Sequence, residues 1–428
     1  MRMSEASVRA LGHVIVGLLW LAAATGAVAA PRGPVAWPAF LPESAFQPAA
    51  PALRRPGFLE TIENAAGYPL SRLGGSSREM ISALPLPPAM RQGPDHRIHW
   101  YSRTSATSAT GRYAISWLES GLAALWRLQP KMDFVAWLTV PRGASPGQVI
   151  WDKQDDAAFW WTRSNRIVRT RFDARTFETR HEVVHVFKGY ATVSFGDGEG
   201  DISRDGGKVA LQGRRPGNPE SWLIAYDLAA RAVAGERRLS RDIDALSVDP
   251  TGAWLVWTDS KVRQRFSVPW TDIDATPFTF ERSGRHGDFV VDAKGIVWFA
   301  TTSGKGIRLW QVGRDNEEGV LHWSVPSSDG HISGMDGAPG KFTYTRYNGG
   351  QIILFDTARP NRQAILGYTR HCERDEFGAP YSYAREPRGS AAMDGRYLIF
   401  ATDWCTAGST PSRPPEMYAI ELSRGRKE

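Results

Sequence analysis

Cysteine is nearly absent: Cys372 and Cys405 are the only two in 428 residues. That excludes a disulfide-dense miniprotein, a cysteine-rich zinc module and a Cys-x-x-Cys redox centre. Charge of one sign never clusters. The net charge is +7, yet no run of five Lys or Arg occurs, so nucleic acid is not an expected partner. No phosphate loop is present. Beyond residue 30 no stretch reaches 18 apolar residues, so no transmembrane span is expected in the mature chain. Turn formers, by contrast, are plentiful. The 42 Gly and 28 Pro exceed the ordinary shares and point to a large fold rich in tight turns.

The one long apolar segment is Leu11 to Ala30, flanked by Arg2 and Arg9 and ending in Ala27-Val28-Ala29. This pattern predicts a secretory signal at residues 1–29, cleaved after Ala29, and a periplasmic or secreted protein. An uncleaved anchor is the alternative. In an exported chain two cysteines predict one Cys372–Cys405 disulfide. Its loop of about 33 residues would contribute roughly 3–4 kcal/mol. Seven prolines between Pro31 and Pro56 predict an extended linker. Residues 30–78 are thus read as an N-terminal extension and 79–428 as the folded domain.

From about residue 95 the chain repeats itself. A short strand, an Asp/Gly turn and a strongly β-prone strand recur around Asp205, Asp249, Asp292, Asp336 and Asp394, with weaker copies near Gly111 and Asp155. An aromatic-Asp pair marks a second turn about twenty residues later, as in Phe172-Asp173, Tyr226-Asp227 and Phe355-Asp356. Units of 40–50 residues holding four strands predict an all-β propeller, and the turn count gives seven four-stranded blades. The last unit runs out after its third strand, Met417–Leu422. A strand from elsewhere must complete it, and Glu79–Leu84 is the segment chosen. The 17 Trp, such as Trp254, Trp257, Trp298 and Trp310, fall mostly on alternating strand positions and are read as core.

The repeats resemble the TolB-type, WD40-like propeller family. The matching residues are Asp205-Gly206 followed by Val209-Ala210-Leu211, and Asp394-Gly395 followed by Leu398-Ile399-Phe400. The family's usual Ser-Pro before Asp-Gly is replaced here by Ser-Arg, Ser-Val or Ala-Met. The resemblance implies the fold and leaves function open.

His181-Glu182-Val183-Val184-His185 matches the zinc-protease pattern, which needs a helix to put both imidazoles on one face. The repeat demands a strand there, where positions four apart stand about 13 Å from each other. The motif is therefore read as coincidental. The loop Gly196 to Asp201 alternates Gly with carboxylates but has Ile202 and Lys208 where a calcium loop needs Gly and Glu, so it is read as solvated.

Stronger candidates come from the repeat itself. Asp201, Asp244, Asp288, His331 and Arg388 lead into the inner strands of five successive blades, so they are expected around the channel mouth. The longest insertions fall in blade seven and carry His371, Cys372 and Arg374, and Trp404 and Cys405. Arg suits a carboxylate and Trp the face of a sugar. His286, His331 and His371 form the one candidate metal set. No cofactor is otherwise expected, a divalent cation being the exception. These residues predict a non-catalytic binding or scaffold module working through the blade-seven face, with a protein partner or an anionic glycan. The alternative is a carbohydrate-active enzyme, a lyase or hydrolase, on an anionic glycan with His331, His371 and Arg388 as working groups.

Overall fold

The computed structural model describes residues 35, 37–42, 55–56, 60–64, 66–73, 96–97, 103–118, 122–130, 132–139, 149–196, 200–240, 243–282, 285–303, 306–316, 319–323, 330–346, 350–370, 386–402, 404 and 416–422. Met1–Val35 and Ala36–Glu428 are separate units, and every strand lies in the second. The expected signal segment, the segment Glu79–Leu84, and His371, Cys372, Arg374 and Cys405 lie outside the described residues.

The strands form seven small antiparallel sheets, the blades of a seven-bladed propeller. Each blade is named from its inner strand outward. Blade 1 is His96–Arg97, Tyr113–Leu118, Leu122–Arg127 and Asp133–Thr139. Blade 2 is Val149–Trp151, Ala158–Arg163, Arg166–Phe172 and Thr179–Val186. Blade 3 is Thr192–Ser194, Lys208–Arg214, Ser221–Asp227 and Ala232–Arg238. Blade 4 is Ile243–Val248, Trp254–Asp259, Gln264–Pro269 and Phe278–Glu281, and blade 5 is Gly287–Val291, Val297–Ser303, Gly306–Gln311 and Val320–Trp323. Blade 6 is Gly330–Gly334, Lys341–Arg346, Gln351–Asp356 and Arg362–Tyr368. Blade 7 begins with Ser390–Ala391, Tyr397–Thr402 and Glu416–Glu421.

The blade-7 sheet is completed by Pro69–Arg72, paired antiparallel with the third strand, and Thr61–Glu63 adds a fifth. The closing strand is thus Pro69–Arg72 and not the later segment expected from sequence. Arg72 locks it. Its Nε and Nη2 donate to the two oxygens of Glu416 at 2.8 and 2.9 Å, both residues being buried. Leu41–Pro42 adds a fifth strand to blade 6. Trp37 stacks on Lys341, Phe40 on Arg359, and Arg55 bonds Glu416 and Tyr418. The described part of the proline-rich stretch is therefore a strap along blades 6 and 7. It covers sheet edges that would otherwise be open.

The core lies between neighbouring blades. One cluster joins Tyr397 and Met417 of blade 7, Tyr113 and Trp126 of blade 1, and Trp151 and Trp161 of blade 2. Further clusters fill the seams of blades 2 and 3, 3 and 4, 4 and 5, and 5 and 6. The repeat turns work as their residues require. Asp249 accepts the N–H groups of Thr251 and Trp254, and Asp292 those of Lys294 and Ile296. These turns join first and second strands on one face, called the turn face. The loops leading into the inner strands lie on the opposite, loop face.

Candidate functional site

The inner strands bring polar groups to the channel at two levels. Towards the turn face, Lys153 of blade 2 has its side chain 0% exposed. Its Nζ donates to Asp201 Oδ2 of blade 3 at 2.8 Å and lies 3.7 Å from Asp336 Oδ2 of blade 6. Arg204 Nη2 is 3.8 Å from the other Asp336 oxygen. Burial opposes the charge on Lys153, but Asp201, Asp336 and Asp288 outweigh it and hold the ammonium above its usual range. Burial raises Asp201, against the pull of Lys153. Burial also pushes Asp288 well above the ordinary carboxylate range, although it accepts the N–H of Gly334 at 2.7 Å and of Phe289 at 2.8 Å. A cavity of about 30 Å³ lies between these groups and is lined also by Ser105, Ser247 and Ser333. That is room for about two waters.

Hydroxyls and carboxylates of this wall stitch the seams. Asp201 N–H donates to Ser247, Ala391 N–H to Ser333 and Ala106 N–H to Ser390. Asp288 does the same for Gly334. Asp201 and Asp288 therefore sit in the channel wall with main-chain and Lys153 partners, below the loop-face mouth where they were expected.

The loop face holds the second level. His286 leads into blade 5 and His331 lies on the inner strand of blade 6; their rings meet edge to face with centroids 5.3 Å apart. His331 is fully buried, and its Nε2 is 3.1 Å from Glu386 Oε2. An ionised carboxylate only accepts, so this contact places the proton on Nε2. Arg388 follows Glu386 and is half-buried. Arg103 of blade 1 donates from Nε to the Gly287 carbonyl at 2.5 Å. Arg103 and Arg265 both lie over the Phe299 ring, at 5.1 and 4.3 Å. Arg265 is held by Glu281 at 2.5 Å, and both are buried.

These arginines act on His286. Burial, then Arg103 and Arg265, and then Arg388 depress its pKa to about 4, with Asp244 opposing. In the unfolded chain an imidazole titrates near 6.5. Between those values the unfolded state binds more protons, so His286 removes stability as pH falls from about 6.5 towards 4. His286→Gln is expected to unfold less readily than the native protein, relative to pH 7.5, across that window. Thermal melts of both proteins at a series of pH values check this. The difference between the two isolates His286 from Asp201 and Asp288, whose raised values act in the opposite sense.

No protein-family model matches the chain, and no curated protein matches it. Solved structures do. The oligogalacturonate lyase of Vibrio parahaemolyticus superimposes with a TM-score of 0.56 at 11% identity, over 86% of this chain and 97% of that one. An oligogalacturonate lyase in complex with manganese gives 0.57 at 14% identity, with the same coverage. The WD40 repeats of RRP9 give 0.46 at 11%, over 85% of this chain and 99% of that chain. At such identities the likeness is one of fold. The chain is a seven-bladed propeller.

Asp244, Arg388 and Trp404 complete the placement of the sequence candidates. Asp244 is exposed beside a bulge in its inner strand. Trp404 stacks on Tyr418 with centroids 5.2 Å apart, and Arg370 lies over the Trp404 ring at 5.4 Å. Of the proposed metal set, the structure brings His286 and His331 together, while His371 lies outside the described residues. Among the described residues no group of three His, Cys, Asp or Glu is arranged to hold a metal. His181 and His185 sit on the outer strand of blade 2. His181 Nδ1 bonds Thr170, while His185 packs on Phe187 and Tyr226. Sequence reasoning passed over Lys153, Arg103, Arg265 and Glu386. Only Glu386 left a signal, two positions before Arg388 in a segment already singled out.

Proposed function

We propose that the protein is an exported, non-catalytic binding module that takes an anionic glycan at the loop-face mouth of its channel, between blades 5, 6 and 7. The observation that carries this reading is the set of Arg103, Arg265 and Arg388 acting on the half-buried His286 against the buried His331. A site whose field keeps an imidazole neutral favours a ligand bringing negative charge. Arg is the side chain suited to a carboxylate, since its planar fork can bond both oxygens. Among the described residues no helix is long and apolar enough to cross a membrane.

Calorimetric titration with uronate oligosaccharides and with neutral oligosaccharides of equal length tests the reading. Binding is expected for the uronates alone. Arg388→Ala is expected to weaken it by about tenfold or more, since a charge-assisted hydrogen bond contributes roughly 1.5–3 kcal/mol. No heat from any saccharide, with retained fold, would overturn it in favour of a protein partner.

The second reading, a carbohydrate-active enzyme, draws on the adjacent His286–His331 pair with its Glu386 contact. A neutral imidazole beside arginines is suited to proton transfer next to a carboxylate-bearing sugar. Product formation from the same uronates, abolished in a folded His331→Ala protein, would establish it. Recovery of intact oligosaccharide keeps the non-catalytic reading.

A further inference from the structure

In a ring, each blade normally buries itself only against its two neighbours, and the core clusters here follow that rule. Two cations depart from it. Lys153 of blade 2 reaches across the axis to Asp336 of blade 6 while bonding Asp201 of its neighbour. Arg103 of blade 1 reaches the Gly287 carbonyl of blade 5. The first lies towards the turn face and the second towards the loop face, with the small cavity and Asp288 between them.

We propose that Lys153 and Arg103 are crossbars that tie opposite sides of the ring. Opening any one seam around the ring then strains a tie between blades that are not neighbours. The chemistry suits the task. A buried ammonium cannot remain without counter-charge, so Lys153 holds both carboxylates at once. Arg103 is fixed by a carbonyl and by the face of Phe299, which leaves its guanidinium little freedom.

Hydrogen exchange read by mass spectrometry on the intact protein tests this. Asp336→Asn removes the far partner and leaves Lys153 with Asp201. It is expected to speed exchange in blade 2, residues 149–163, by about tenfold, with blade 4, residues 254–269, unchanged. Lys153→Met is expected to speed exchange in blade 6, residues 330–346, by at least as much. Arg231→Met, which removes an exposed ion pair with Glu182, serves as the control and should move neither. If Lys153→Met fails to fold, Asp336→Asn alone decides. Faster exchange confined to blade 6 in Asp336→Asn, or equal to the control, would overturn the proposal.

Discussion

Arg72→Ala is expected to lower folding stability by about 3–5 kcal/mol, the usual cost of stripping one partner from a buried ion pair. The pair closes the ring. Arg72 comes from the closing strand Pro69–Arg72 and Glu416 from the third strand of blade 7, and both are buried. Without the guanidinium, Arg55 is the one cationic partner that Glu416 keeps among the described residues, and that side chain is 20% exposed. The strand that carries Arg72 has four residues and pairs with the third strand of blade 7 at three of them, Leu70, Ser71 and Arg72. Arg72→Lys should recover only part of the loss, because an ammonium cannot bond both carboxylate oxygens in the same fork. Urea unfolding followed by circular dichroism checks both variants. A midpoint for Arg72→Ala equal to that of the native protein would show that ring closure does not depend on this pair.

Gly334→Ala should rank with it. The glycine sits on the inner strand of blade 6, where that strand passes the inner strand of blade 5. A Cβ there would lie 2.0 Å from the Phe289 carbonyl oxygen. The obstacle is backbone, so no rotamer change relieves it. The two inner strands must move apart, which also pulls the Gly334 N–H from Asp288. Overpacking costs typically 1–3 kcal/mol, and a main-chain clash of this depth belongs at about 3 kcal/mol or above. Gly207→Ala is the matched control. Its Cβ would meet nothing closer than 3.4 Å, so it should be near neutral or slightly stabilising. Equal midpoints for the two alanine variants would contradict the close approach of blades 5 and 6.

The contrast between these residues shows what a sequence can carry. The Asp/Gly turns and the strands after them are local and recur, so the blade count was legible. Asp205, Asp249, Asp292 and Asp394 each satisfy their own turn, which needs no knowledge of the rest of the chain. The closing strand is different. Pro-Leu-Ser-Arg is four residues long and opens on proline, so it has no period to detect; pairing with Glu416–Glu421 makes it a strand. His286 and His331 were visible because both stand beside the start of an inner strand. Arg103 was not, since its partner Gly287 is 184 positions away. Lys153 was hidden for the same reason. Its two carboxylates come from blades 3 and 6, and only the closed ring brings them together.

A crystal structure of the protein with a uronate oligosaccharide tests the central claim most directly. The account expects the sugar at the loop-face mouth, with a carboxylate within hydrogen-bond distance of Arg388 and a ring beside His286 and His331. Sugar bound instead at the turn face or on the outer rim of the blades would contradict it.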